Sequence, residues 1–209
     1  MVFSPATLVP LVVAVSFAAG LNVYATILTL GMLARLHYVL LPPGLHAVAD
    51  TWVLVAAAVL FAIEFFADKI PGFDVLWSAA HTFIRIPLAA LLAFAATTQL
   101  PPEMQAVATL LGGALAMLAH TSKTAARILV TPSPEPVSNI LLSSAEDVAA
   151  IGLTWVATQH PMAAGAVAAV LALSATVLIW FTARKLAQLW RRTIERFRKP
   201  GSALSANHI

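Results

Sequence analysis

The chain has 209 residues, 60% hydrophobic and 10% charged, with a mean hydropathy of +0.89. A soluble domain carries about a quarter charged residues, so these values exclude an ordinary water-soluble globule and indicate a polytopic membrane protein. The net charge of +3 divides into +6 over residues 184–199, which hold seven of the 12 Lys and Arg, and −3 over the rest; the basic balance therefore marks a lipid-facing end, not a nucleic-acid surface.

A bilayer crossing by an α-helix takes about 20 apolar residues. Residues 6–41 are apolar for too long to make one straight crossing, and Gly20-Leu21-Asn22 interrupts them, which predicts two helices meeting at a break. No Lys or Arg precedes residues 9–20, so that stretch lacks the cationic start of a secretory signal and is expected to persist as a first membrane segment. Residues 52–67 predict the next helix, closed by the charged turn Asp68-Lys69-Ile70-Pro71-Gly72. Residues 74–96 predict another, interrupted by Pro87, and 97–103 form a polar connector.

Residues 104–131 are expected to break at His120-Thr121-Ser122-Lys123, as a re-entrant hairpin or a discontinuous helix. Membranes admit such irregular backbone only where it is buried in protein or faces water. Residues 137–158 predict a further span, and 162–198 one helix that turns from apolar to basic near Ala183. The fold class is thus an all-α integral membrane protein of about six hydrophobic helices, with broken or re-entrant segments. Its helical membrane domain covers 1–183, and 184–209 form a basic helical extension with a flexible C-terminal tail.

Two offsets hint at an internal repeat over about 6–99 and 104–183. A shift of 100 sets the Asn22 break against Ser122-Lys123, and a shift of 66 sets His81 on Asp147. Alanine- and leucine-rich sequence produces such matches by chance, so duplication and coincidence both stay open. A true repeat would follow the logic of transporters, whose broken helices meet at a central site.

An ionisable residue in a membrane segment costs roughly 2.5–3.5 kcal/mol on the insertion scale, so its default reading is a functional position facing the bundle interior or water. Glu64 and Asp68 stand four apart, as do Lys123 and Arg127; Asp74, Ser78, His81 and Arg85 form one stripe along a helix; Asn139, Ser143 and Glu146 repeat the spacing with Asp147 beside them. Helical neighbours three or four apart share a face. Two readings compete: a polar pathway, and a set of salt bridges that only fasten helices together. The 68–74 turn alone is equally a solvated loop.

Other chemistry is less well supplied. The absence of cysteine removes disulfides, thiolate metal sites and thiol nucleophiles. The carboxylates and histidines could serve divalent cations, but no diagnostic ligand spacing is present, and Arg85, Lys123 and Arg127 would oppose a cation and suit an anion or phosphate. Asp74, Ser78 and His81 resemble a hydrolytic triad on paper, yet one face of one helix does not provide triad geometry. No metal, cofactor or catalytic activity is expected. The tryptophans fall mainly near the ends of apolar runs, as interfacial anchors do.

Several strings carry a family likeness. Ala19-Gly20-Leu21-Asn22, Glu64-Phe65-Phe66-Ala67-Asp68-Lys69-Ile70-Pro71-Gly72, His81-Thr82-Phe83-Ile84-Arg85 and Ser143-Ser144-Ala145-Glu146-Asp147 resemble a bacterial family of multi-pass membrane proteins known as domain of unknown function 4126, over roughly residues 9–192. The resemblance implies no activity. It implies an acid where this chain has Ser78, which weakens Ser78 as a site residue.

The expected function is transport or permeation of a small polar or anionic solute, a lipid headgroup included. Asn22, Lys123 and Arg127 would contact the substrate, and Glu64, Asp68, Asp74, His81, Arg85, Glu146 and Asp147 would form the pathway or gating pairs. The alternative is a non-transporting membrane scaffold, with structural buried charges and a basic tail that binds anionic lipid or a partner. Expected partners are membrane lipids and the solute, not nucleic acid, with a homo-oligomer left open. The expected location is the bacterial inner membrane, C-terminus in the cytoplasm.

Overall fold

The computed structural model describes residues 4–68, 73–130 and 136–198, and every regular element among them is helical. Helix α1 (Pro5–Leu21) and α2 (Val23–Arg35) are followed by a 3-10 helix (Pro43–Ala49), then α3 (Thr51–Ala67), α4 (Phe73–Ala96), α5 (Pro102–Val130), α6 (Pro136–Gln159) and α7 (Pro161–Arg198). Proline opens five of these elements, where its fixed φ suits the first turn and its missing N–H has no partner to lose.

Helix α1 is apolar on all sides, and a helix of that kind belongs in the interior of a bundle. It packs on α2, α4, α5, α6 and α7, and from Leu11 to Leu21 every residue except Val13 is buried. Small residues let its neighbours come close. A Cβ placed on Gly20 would lie 2.7 Å from the Cα of Ala116 in α5, and one on Gly165 of α7 would lie 2.9 Å from the Cα of Pro10. Both are backbone contacts, so the helices would have to move apart to admit a side chain.

Polarity runs from inside to outside in the sense opposite to that of a soluble protein. Phe83 is 83% exposed while Arg85, two residues on, is fully buried. Leu110, Val148 and Leu173 are likewise exposed, whereas Glu64, Asp68 and Lys123 are buried. Apolar side chains turned outward and charged ones turned inward are what a hydrocarbon solvent requires. Three helical stretches, Pro102–Leu129, Ile140–Gln159 and Pro161–Glu195, are long and apolar enough to cross a membrane. The 3-10 helix and α3, bent by 64° at their junction, add a fourth if taken together. The protein is an all-α membrane protein.

The break expected after Gly20 is present: Asn22 is extended, with φ −150° and ψ 104°, between α1 and α2. The break expected at residues 120–123 is absent, since α5 runs continuously through them. There the Thr121 hydroxyl donates to the Met117 carbonyl and the Ser122 hydroxyl to that of Ala119, each at 2.7 Å. Side chains that bond back onto their own helix leave the backbone ladder intact. Helix α4 also continues through Pro87, which transmembrane helices tolerate when neighbours satisfy the freed groups.

Helix α7 has 38 residues, about 57 Å at 1.5 Å per residue, and exceeds the ~30 Å hydrocarbon layer. From Ala183 to Glu195 every residue is exposed.

Gly20→Val should force α1 and α5 apart and lower stability by about 1–3 kcal/mol, the range for overpacking a close contact. Gly152→Ala, where an added Cβ meets nothing within 4 Å, is the control and should leave the melting temperature in detergent unchanged.

Candidate functional site

The charged residues singled out by spacing come together on facing sides of α3 to α6. From α3, Glu64 pairs with Arg85 of α4, both fully buried. One turn further, Asp68 accepts from Lys123 Nζ of α5 at 2.7 Å and lies 3.1 Å from Arg127 Nη2. Glu146 of α6 approaches the same two cations, 3.0 Å from Lys123 and 3.8 Å from Arg127. Lys123 thus holds α3 and α6 to α5 through a single ammonium.

The break at Asn22 joins this set. Its backbone N–H donates to the Ala18 carbonyl and closes α1. Its side-chain oxygen accepts from the Ala25 amide at 2.9 Å and caps α2, a role for which Asn is among the favoured residues. That bond fixes the orientation of the amide, so the Nδ2 group faces α6, where it donates to Asp147 Oδ1 at 2.8 Å. Asn22 is fully buried and Asp147 is 5% exposed.

His120 extends the network towards α4. Its Nδ1 lies 3.1 Å from Arg85 Nη1, and a guanidinium can only donate, so Nδ1 accepts. Nε2 then carries the hydrogen and donates to the Thr82 hydroxyl at 2.7 Å. The geometry therefore selects a neutral ring with its proton on Nε2. His81 has different company: its ring stacks on Trp77 at 4.1 Å, meets Tyr24 edge-on at 5.8 Å, and its Nδ1 is 3.0 Å from the Trp77 carbonyl.

Of the residues expected at the site, Glu64 with Arg85, Asp68 and Glu146 with Lys123 and Arg127, and Asn22 with Asp147 form three neighbouring sets, and His81 packs against aromatic rings. Asp74 lies on α4, but its side chain, like those of Ser78 and Asn139, falls outside the described residues. Sequence reasoning placed His120 in the expected break and not among the site residues, and left out Thr82. The signal for His120 was available, since it stands three and seven residues before Lys123 and Arg127 and shares their helical face. Among the described residues no group of three or more His, Asp or Glu could hold a metal ion.

Helices α4 and α5 pack closely, whereas α3 packs on α2 and the 3-10 helix and only lightly on α4, and α5 touches α6 sparsely. Long charged side chains, more than close helix contact, join α3 and α6 to the α4–α5 pair.

The family model described as domain of unknown function (DUF4126) matches residues 9–181, and the chain belongs to that family. Neither the curated proteins nor the solved structures contain a match.

Breaking a buried ion pair strands a charge, at about 3–5 kcal/mol, whereas replacing both partners by apolar residues is often neutral or stabilising. Glu64→Leu alone should therefore sharply lower the melting temperature, and the double variant Glu64→Leu/Arg85→Met should recover most of the loss.

Proposed function

We propose that this member of the DUF4126 family is a bacterial inner-membrane transporter or permeation protein for a small polar or anionic solute, a lipid headgroup included, with its polar pathway through the network on α3 to α6. One observation carries the reading. Seven charged side chains and the buried helix break at Asn22 lie where long charged side chains, more than close packing, join α3 and α6 to the α4–α5 pair.

Fastening alone does not call for this arrangement. Apolar residues of similar volume hold helices as well as buried ion pairs do, often better by 1–4 kcal/mol. Ion pairs differ from apolar contacts in being exchangeable. An anion that reaches Lys123 and Arg127 competes with Asp68 and Glu146 for the same donors, and by taking their place it releases α3 and α6 from α5. The contacts that hold the site shut are then the ones the substrate replaces. Asn22, Lys123 and Arg127 act as the substrate contacts. Asp68 and Glu146 act as gating partners, and Glu64, Asp74, His81, Arg85 and Asp147 as the rest of the pathway.

The proposed orientation, C-terminus in the cytoplasm, is supported by the cations of residues 184–199 through the positive-inside rule. A reporter fused after Ile209 should be active in the cytoplasm, and periplasmic activity would reverse the topology.

Purified protein should be screened by thermal shift against chloride, phosphate, acetate and glycerol phosphate, and then reconstituted in liposomes with any ligand that raises the melting temperature. Asp147→Asn and Arg127→Gln should remain folded in detergent and lose most of the flux and the ligand-induced shift. Variants that instead fail to fold, with a wild type that responds to no solute, would make the network structural and the protein a scaffold.

A further inference from the structure

We propose that the network binds one proton, carried by either Glu146 or Asp147 on α6, and that H+ is the coupling ion of the transport proposed above, on which this coupling rests. The argument begins with charge. Glu64 and Arg85 match one to one. The remaining described groups are two carboxyls, Asp68 and Glu146, on two cations, Lys123 and Arg127, and a third carboxyl, Asp147, bonded to Asn22. Lys69 and Asp74, whose side chains lie outside the described residues, add one charge of each sign by sequence. Fully ionised, the set would carry one uncompensated negative charge inside the bundle.

A low-dielectric interior resists such an excess, and a proton taken up by one carboxyl removes it. Glu146 and Asp147 are consecutive and are 8% and 5% exposed. A second observation marks the place. The Ser143 hydroxyl, on the same α6 face one turn before Asp147, is 1% exposed and has no hydrogen-bond partner among the described residues. It is an acceptor suited to a carboxyl O–H four residues on. A coordinated cation would instead need several oxygens converging, and no such group of acids occurs among the described residues.

Titratable and charged neighbours come from three sides. Helix α5 supplies Lys123, Arg127 and His120; α3 supplies Glu64 and Asp68; α4 supplies Arg85 and His81, with Tyr24 of α2 against His81. Residues 4–21 and 162–183, in α1 and α7, contain no Asp, Glu, His, Lys, Arg or Tyr.

The position of the proton sets the state of the gate. With the proton on Asp147, Glu146 is ionised and holds Lys123. With the proton on Glu146, Lys123 loses one of its two carboxylates and becomes available to an anion, while ionised Asp147 keeps its bond from Asn22. Proton and anion then move together.

Infrared spectroscopy of the full-length protein in detergent at neutral pH tests the site without a substrate. The wild type should show the carbonyl stretch of a protonated carboxylic acid. Glu146→Gln and Asp147→Asn each mimic a neutral acid and remove the charge excess, so either should abolish the band while circular dichroism stays unchanged. Glu103→Gln, exposed at the start of α5, should keep it. A wild type without the band, a band that survives both single variants, or a melting temperature raised by sodium chloride over choline chloride would each overturn the proton site. In liposomes, an inward pH gradient should drive uptake of the solute found by thermal shift, with matching acidification of trapped pyranine. A band that behaves as expected while no pH gradient moves chloride, phosphate, acetate or glycerol phosphate would retain the site and defeat the coupling with the transport reading.

Discussion

A charge buried in a membrane protein must be met by a charge from somewhere else in the chain, and this constraint orders the part of the bundle where α3 to α6 face one another. Arg85 is fully buried and reaches Glu64 on one side and His120 on the other. Lys123 has Asp68 and Glu146 within 3.0 Å. None of these partners lies on the same helix as the group it meets. Each pair therefore fixes the height of one helix against another, and the set together fixes how α3, α4, α5 and α6 align.

Helix α1 makes the arrangement affordable in space. It carries no charge and only two hydroxyls, Thr7 and Ser16, and takes close contacts, with Gly20 against Ala116 and Gly165 against Pro10, so the charged groups need not hold the bundle core together. Where α1 ends, one residue performs three tasks. Asn22 closes α1 with its amide, caps α2 with its side-chain oxygen and reaches Asp147 with its side-chain nitrogen. Interruption of a helix frees backbone groups that a membrane leaves unsatisfied, and Asn supplies both a donor and an acceptor at that point.

The membrane class, the Asn22 break and most of the site residues were legible in the sequence because they rest on local properties, apolar run length and helical spacing. Glu64 with Asp68, and Lys123 with Arg127, do share a face, and each pair of acids or cations enters the network from one helix. Their partners were not legible, because Lys123 meets Asp68 across 55 positions of sequence and Asn22 meets Asp147 across 125. The stretch at 120–123 misled for a physical reason. Thr121 and Ser122 are polar by composition yet bond to carbonyls of their own helix, and His120 and Lys123 are satisfied by other helices. Polar residues inside an apolar run mark a break only when the backbone itself lacks partners. Here they marked a meeting place.

The two acids of α6 point to the coupling of break and network. Consecutive residues on an α-helix are about 100° apart around the axis, so Glu146 and Asp147 cannot address one partner. Glu146 faces the cations of α5 and Asp147 faces Asn22. A small rotation of α6 that tightens one of these contacts loosens the other. The same helix therefore bonds both to Lys123 and to the α1–α2 junction. Had the two acids stood four residues apart, both would have faced the same side and α6 could have moved without exchanging one contact for the other. Adjacency in sequence, which gives the pair its divergent directions, is what lets α6 bond at once to Lys123 and to the break at Asn22.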